Sequence, residues 1–196
     1  MNMISAETIK QLREKTGAAI LDCKNALEQA GGDIDKAIEI LRKQGQKIVE
    51  KKSSRTVKEG LIGSYMHSNN KIASLIEVNC ETDFVARNEE FKKLVHNLAM
   101  QVVAANPKYL SLEDIPAKEI EKEKEIYKEQ LLKEGKPENM LDKIMQGKLQ
   151  KYYQEVCLLK QPFIKEDKIT IEELIKQAIA KLGENIQVKR FVKFSL

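Results

Sequence analysis

Between residues 72 and 103 the period of the apolar residues changes from two residues to about 3.6 residues. This change places a strand directly before a helix. In 72–79, the residues Ile72, Ser74, Ile76 and Val78 share one face, as in a half-buried strand. Asn88 then suits a helix N-cap. The residues after it form one apolar stripe, made of Phe91, Leu94, Val95, Leu98, Ala99, Val102 and Val103. The pattern predicts a strand, a short polar turn and a helix that packs on the strand.

A phenylalanine, Phe84, lies in the segment 82–86 between these two elements. Both elements already have complete apolar faces, and Phe91 is the anchor of the helix. Phe84 therefore either folds back under the helix as a hydrophobic staple or is offered to a partner. Taken alone, the residues favour the staple, because aromatic side chains are more often buried than exposed.

Two long segments of the chain carry a family resemblance. Residues 77–87 read Glu-Val-Asn-Cys-Glu-Thr-Asp-Phe-Val-Ala-Arg, and residues 12–27 read Leu-Arg-Glu-Lys-Thr-Gly-Ala-Ala-Ile-Leu-Asp-Cys-Lys-Asn-Ala-Leu. Both resemble signature segments of the translation elongation factor Ts family, with Ala19 where many members have Gly. Two long motifs in this order are far more specific than one short pattern. The chain is identified as a member of that family.

The resemblance implies a guanine-nucleotide exchange factor for elongation factor Tu. Such a protein binds elongation factor Tu in its GDP-bound and nucleotide-free states, displaces Mg²⁺, and promotes GDP release and GTP loading. By resemblance, the contact near the magnesium site belongs to Thr82, Asp83, Phe84 and Val85, with Phe84 as the wedge. The grip on the nucleotide-binding domain belongs to Arg13, Ile20, Leu21 and Cys23. His67 resembles part of a family segment near the interface.

The residues predict an N-terminal helical module in 1–45, followed by a basic linker in 46–60. Ser5 and Asp33 suit helix N-caps, and Gly17, Gly31-Gly32 and Gly45 suit helix ends, which gives three short helices. The arrangement resembles a ubiquitin-associated bundle. Because Ile20 and Leu21 are adjacent, they cannot both face inward, and one is either left for a partner or merely exposed.

Residues 61–196 predict an α+β core that contains a three-stranded antiparallel sheet covered by helices. The predicted elements are a hairpin of 61–66 and 72–78, a helix 89–105, a helical pair 117–133 and 137–156 that turns at Gly135, a helix from the capping box at Thr170 to Gly183, and a strand 186–194. So small a sheet has an open edge, and its last strand is apolar on both faces near its end. Together with the resemblance to short family members, this predicts a homodimer. The alternative is a monomer whose helical pair covers the edge.

The composition argues against other classes of protein. The net charge of +4 comes from 34 basic and 30 acidic residues that are interleaved, whereas a nucleic-acid groove needs clustered Lys and Arg. We find no apolar run of membrane-spanning length and no leader, so we expect a cytoplasmic protein without a membrane partner. A ribosome- or RNA-binding module would need a single basic face. An adaptor for ubiquitin-like tails would leave 82–85 without a role.

The sequence contains no arrangement of side chains typical of an enzyme. Cys23, Cys80 and Cys157 lack Cys-x-x-Cys spacing, so we expect reduced thiols rather than a disulfide or a metal site. His67 and His96 have no neighbouring nucleophile or carboxylate in the pattern that acid–base chemistry requires. We therefore expect a protein without catalytic residues, metal or cofactor, which acts by binding.

Overall fold

The computed structural model describes residues 4–134 and 137–196 and has the α+β class that the sequence predicts. Within these ranges the helices are α1 (Ala6–Thr16), α2 (Ile20–Gln29), α3 (Ile34–Lys52), α4 (Asp83–Ala86), α5 (Glu89–Ala105), α6 (Ala117–Lys133), α7 (Glu138–Val156) and α8 (Ile171–Leu182). The strands are β1 (Glu59–Met66), β2 (Ile72–Cys80), β3 (Pro162–Phe163), β4 (Glu166–Thr170) and β5 (Ile186–Ser195). The predicted turn at Gly135 and residues 1–3 lie outside the described residues.

The chain divides into two compact units. The first contains the residues up to Leu61 together with Val78–Leu94 and Ile175–Gln187. The second contains Ile62–Glu77, Val95–Leu174 and Val188–Leu196. The division into 1–45, 46–60 and 61–196 that the sequence suggested stays a prediction.

The first three helices begin at the predicted caps. The side chains of Ser5 and Asp33 accept hydrogen bonds from backbone N–H groups in the first turns of α1 and α3. Gly17, with a φ of 67°, ends α1 in the left-handed conformation that glycine adopts without strain. The three helices share one apolar core, made of Leu12, Cys23, Ala26, Leu27 and Ala37.

Helix α3 is longer than predicted, and the helix end expected at Gly45 is wrong. The helix runs to Lys52, so the first part of the expected linker is helical. Gly45 lies against α8, where a Cβ in its place would be 3.5 Å from the Cβ of Ala180. The ammonium group of Lys52 donates to the carbonyl of Gly183, where α8 ends. These tertiary contacts outweigh the low helix propensity of glycine.

Strands β1, β2 and β5 form the predicted three-stranded antiparallel sheet, in the order β1-β2-β5. One face of β2 is buried, as its period of two predicts, and the apolar stripe of α5 is buried as well. The hydroxyl of Ser74 in β2 donates to the carbonyl of Ala99 in α5 at 2.7 Å. A Cβ at Gly63 would lie 2.3 Å from Cγ1 of Val95, so β1 and α5 approach closely there. Helix α5 therefore covers one side of the sheet.

The predicted helical pair is present as α6 and α7, with Pro137 at the N-cap of α7. The carboxylate of Glu119 accepts hydrogen bonds from the hydroxyls of Tyr109 and Tyr152, both at 2.6 Å. These hydroxyls hold the pKa of Glu119 below its ordinary value, and burial is the main cause of the raised pKa of Tyr152.

The antiparallel pair of β3 and β4 was not predicted, because β3 has only two residues and shows no usable period.

The glycine of the sheet with the closest backbone neighbour gives a test of the fold. Gly60 has a φ of 150°, and a Cβ there would lie 2.2 Å from the carbonyl oxygen of Val78. Because backbone cannot move aside cheaply, we expect Gly60→Ala to lower the free energy of unfolding by about 1–3 kcal/mol.

Gly147 provides the matched control, since it lies inside α7 with nothing within 4 Å of an added Cβ. We expect Gly147→Ala to raise the free energy of unfolding by about 0.5–1 kcal/mol. Urea denaturation measures both variants. Equal stability of Gly60→Ala and the unaltered protein would contradict the close approach at Gly60.

Candidate partner-binding surfaces

Residues 82–85, which we name the tip segment, present an exposed phenylalanine on a short helix. Helix α4 has four residues, and its N-cap Thr82 accepts a hydrogen bond from the N–H of Val85 at 3.5 Å. The side chain of Phe84 is 83% exposed, whereas Ala86 is buried. The staple interpretation of Phe84 is therefore wrong. Thr82, Asp83 and Val85 are half-buried beside it.

The start of the tip segment is held by the carboxylate of Glu184. The N–H groups of Glu81 and Thr82 donate to Oε2 of Glu184 at 3.1 and 3.0 Å, and the hydroxyl of Thr82 donates to Oε1 at 2.6 Å. A carboxylate has two oxygens that can each accept more than one hydrogen bond. One side chain thus satisfies three donors just before α4.

A second carboxylate makes the reciprocal contact. The backbone N–H of Asn185 donates to Oε1 of Glu81 at 2.7 Å, and Arg55 donates to Oε2 at 3.3 Å. The bond from Asn185 is the main reason that the pKa of Glu81 lies below its ordinary value. We name the group Glu81, Thr82, Glu184 and Asn185 the carboxylate clamp. The clamp could not be predicted from the sequence, because nothing in the spacing pairs residues so far apart.

Cys80 lies at the edge of the clamp as a neutral thiol. Its Sγ donates to the carbonyl of Thr82 at 3.2 Å. Burial raises the pKa of the thiol to about 11, and the negative charge of Glu184 adds to this. Cys80 therefore supports the turn as a small buried side chain. All three cysteines are free and buried, and buried structural cysteines are unreactive.

The N-terminal helices expose two adjacent apolar side chains at the start of α2. Ile20 is 58% exposed and Leu21 is 66% exposed, so both of them, and not one as predicted, lie on the surface. Arg13 is also exposed. Cys23 requires a correction, because it is fully buried and its thiol contacts the carbonyl of Ala18 at 3.7 Å. It belongs to the core of the module and not to the predicted gripping surface.

His67 lies at the end of β1, where its N–H donates to the carbonyl of Ile72 at 2.9 Å and closes the hairpin. Its side chain is exposed, and the centre of its ring is 6.4 Å from that of Tyr65. His96 packs on the same tyrosine, at 5.8 Å. A role for His67 at an interface stays a prediction.

The second unit exposes an apolar surface on the side of the sheet opposite α5. Ile62 and Met66 alternate with Gly63, which meets α5, and Leu75 alternates with the buried Ser74. On β5, Lys193 donates to a carbonyl of α5, so its neighbours point to the other side. We name this set the apolar sheet face; its members are Ile62, Met66, Leu75, Val192 and Phe194, each more than 40% exposed.

The described residues hold no group of three or more His, Cys, Asp or Glu side chains that could bind a metal ion. None of the helices in the described part of the chain is long and apolar enough to cross a membrane. The exposed apolar side chains on both units are features of surfaces that bind other proteins.

Comparison with known proteins agrees with the two signature segments. The family model described as Elongation factor TS matches residues 3–196. The elongation factor Ts of Thermotoga petrophila is 56% identical over 98% of this chain and 96% of its own length. That of Caldanaerobacter subterraneus is 54% identical over 98% of this chain and 96% of its own length, and that of Fervidobacterium nodosum 55% over 98% of each. The chain therefore belongs to the elongation factor Ts family.

Proposed function

We propose that this protein is the guanine-nucleotide exchange factor for elongation factor Tu, and that Phe84 is the side chain that opens the nucleotide site. The observation that carries the proposal is the exposure of Phe84, 83%, on a segment fixed by the carboxylate clamp. Burying a phenylalanine side chain contributes about 1.5–3 kcal/mol, which an exposed one leaves available for a partner.

The proposed action follows from how a GTPase holds its nucleotide. Backbone amides and a magnesium ion, bridging phosphate and protein oxygens, bind the phosphates. Insertion of Phe84 between elements of elongation factor Tu would move the groups that hold Mg²⁺, and the grip on GDP would weaken. Thr82, Asp83 and Val85 would fix the wedge in place. Because coupling is reciprocal, incoming GTP then expels the exchange factor.

No catalytic group is needed for this role. An exchange factor shifts an equilibrium by binding one state of its partner more tightly than another. We propose that the protein is not an enzyme, has no cofactor of its own, and acts in the cytoplasm on elongation factor Tu without direct contact to nucleic acid or membrane. The test is the release of fluorescent GDP from purified elongation factor Tu, with and without this protein.

We propose that the exposed pair at the start of α2 holds the partner. Ile20 and Leu21 are attached to a packed bundle, and Arg13 on α1 adds a charge at the surface. Two attachment surfaces on one chain raise the effective concentration of the tip segment at its target. The pair therefore sets the concentration at which exchange occurs, and Phe84 sets the rate.

We also propose that the protein is a homodimer that buries the apolar sheet face. Large exposed side chains on three adjacent strands, Ile62, Leu75 and Phe194 among them, form a patch of the kind that marks an interface. A two-fold axis would place the same patch of each copy against the other. The short sheet would gain a cover on its second side.

Phe84→Ala tests the wedge. We expect the maximal rate of GDP release to fall about 30- to 1,000-fold, because an interface hot spot contributes about 2–4 kcal/mol. Since Phe84 is exposed, the free energy of unfolding should change by less than about 0.5 kcal/mol. Ile164→Ala, at another exposed apolar residue, is the control and should release GDP normally. Normal release by Phe84→Ala would refute the wedge.

Replacing Ile20 and Leu21 together by Ala tests the holding surface. We expect the concentration for half-maximal GDP release to rise about 10- to 100-fold while the maximal rate is retained. A titration of elongation factor Tu with each variant measures both quantities. Leu132→Ala, at an exposed leucine on α6, is the matched control. The idea fails if the double variant reaches half-maximal release at the same concentration as the unaltered protein.

Light scattering tests the homodimer. We expect a mass near twice the 22.4 kDa of one chain at micromolar concentration. Phe194→Glu should return it to 22.4 kDa, because a carboxylate would be buried without a partner. Ile164→Glu adds the same charge away from the apolar sheet face and should leave the mass unchanged. A single-chain mass for the unaltered protein at every concentration would exclude the dimer.

A further inference from the structure

We propose that Glu184 is a positioning residue for exchange: its carboxylate fixes the backbone before α4, so that Phe84 is presented in one orientation. The proposal rests on the proposed function, because it assigns how the wedge is held. It is carried by the three hydrogen bonds that Glu184 accepts from Glu81 and Thr82.

Helix α4 cannot hold its own orientation. Isolated helices shorter than about 12 residues are marginal in water, and α4 has four residues. Its exposed phenylalanine contributes almost no packing to the fold. The closing hydrogen bonds, from Ala86 N–H to Thr82 and from Arg87 N–H to Asp83, run within the turn itself. The direction in which Phe84 points is therefore set by the packing of the buried Ala86 and by the contacts of the residues that flank α4.

Glu184 provides such a contact, and the residues on both sides of it are held by hydrogen bonds. It follows Gly183, which ends α8 with a φ of 75° and whose carbonyl accepts a bond from Lys52. On the other side, Asn185 donates to Glu81 at 2.7 Å and its side-chain amide donates to the carbonyl of Arg55 at 2.8 Å. The backbone on both sides of Glu184 is thus held in place while its carboxylate binds the tip segment.

Positioning has a measurable consequence for exchange. A partner that binds only one conformation sees an apparent affinity reduced by the fraction of molecules in that conformation. Without Glu184, three donors lose their acceptor, and the backbone of 81–82 can sample other conformations. In a complex already held by Ile20 and Leu21, Phe84 would then be inserted for a smaller fraction of the time, and the maximal rate of GDP release would fall, although the side chain itself is unchanged.

Glu184→Ala, alone and combined with Phe84→Ala, tests the proposal in a double-mutant cycle of GDP release. We expect Glu184→Ala to lower the maximal release rate about tenfold when Phe84 is present, and less than about twofold when residue 84 is already Ala. A general loss of folded protein would lower the rate by the same factor in both backgrounds. That outcome, or no effect of Glu184→Ala, would overturn the positioning role.

Glu184→Gln is the conservative variant that should rescue exchange. Its amide oxygen can accept both backbone N–H groups, and its amide nitrogen can donate to Thr82, whose hydroxyl then accepts. We expect a release rate within about threefold of the unaltered protein. A loss as large as that of Glu184→Ala would assign the effect to charge and would overturn positioning by hydrogen bonds.

Glu173→Ala is the matched control for the loss of a carboxylate that binds backbone. Glu173 accepts a hydrogen bond from the N–H of Thr170 at 2.8 Å at the start of α8. We expect it to lower the free energy of unfolding without changing exchange. Hydrogen exchange adds a direct readout, because the amides of Glu81 and Thr82 should lose protection in Glu184→Ala and keep it in Glu173→Ala. Unchanged protection in Glu184→Ala would contradict the proposal.

The two hypotheses fail in different ways. If the unaltered protein does not accelerate GDP release, the proposed function is wrong. If it does so, but the rate is the same with and without Glu184, the wedge stands and the positioning role is wrong.

Discussion

The packing of α5 on one side of the sheet is the constraint from which the exposed tip segment follows. The contacts at Gly63 and at Ser74 bring backbone and small side chains close together, which fixes the face of each strand that points to the helix. A strand of period two and a helix of period about 3.6 each present one apolar stripe. In this contact the two stripes are buried against each other. Little apolar surface of the core is then left for the residues between them, which bury Ala86 and leave Phe84 exposed. Phe84 is exposed because the apolar faces of β2 and α5, on either side of it in the chain, are already packed against each other.

Most of the fold could be predicted because its signals are local. The caps at Ser5 and Asp33, the capping box at Thr170 and the alternation along β2 each depend on residues within a few positions of one another, and the structure has all of them. The failures depend on distant residues. Gly45 does not end α3, because α8 packs beside it, and Cys23 faces inward, because it is part of the core that α1, α2 and α3 share. Local patterns contain no information about such contacts.

The candidate surfaces were predictable to different degrees for the same reason. The resemblance identified Phe84, Ile20 and Leu21 as partner-binding residues. The structure adds that all three side chains are exposed. The carboxylate clamp could not be predicted, because Glu81 and Glu184 are two acidic residues among many, and their pairing with backbone N–H groups depends on the fold. Acidic residues near helix ends are usually solvated. Glu184 is recognised in the structure by the three hydrogen bonds that it accepts from Glu81 and Thr82.

The proposed positioning role also bears on the free energy with which an exposed aromatic side chain can bind. A flexible phenylalanine loses conformational freedom when it binds, and that cost reduces the free energy available to distort the partner. In the proposed positioning role, this ordering occurs on folding, through the hydrogen bonds to Glu184 and through the contact between Asn185 and Glu81. The loss of conformational freedom is then part of the folding of the first unit and does not recur on binding. In the proposed function, more of the binding energy of Phe84 would then remain to weaken the binding of the nucleotide by elongation factor Tu, which is what an exchange factor requires.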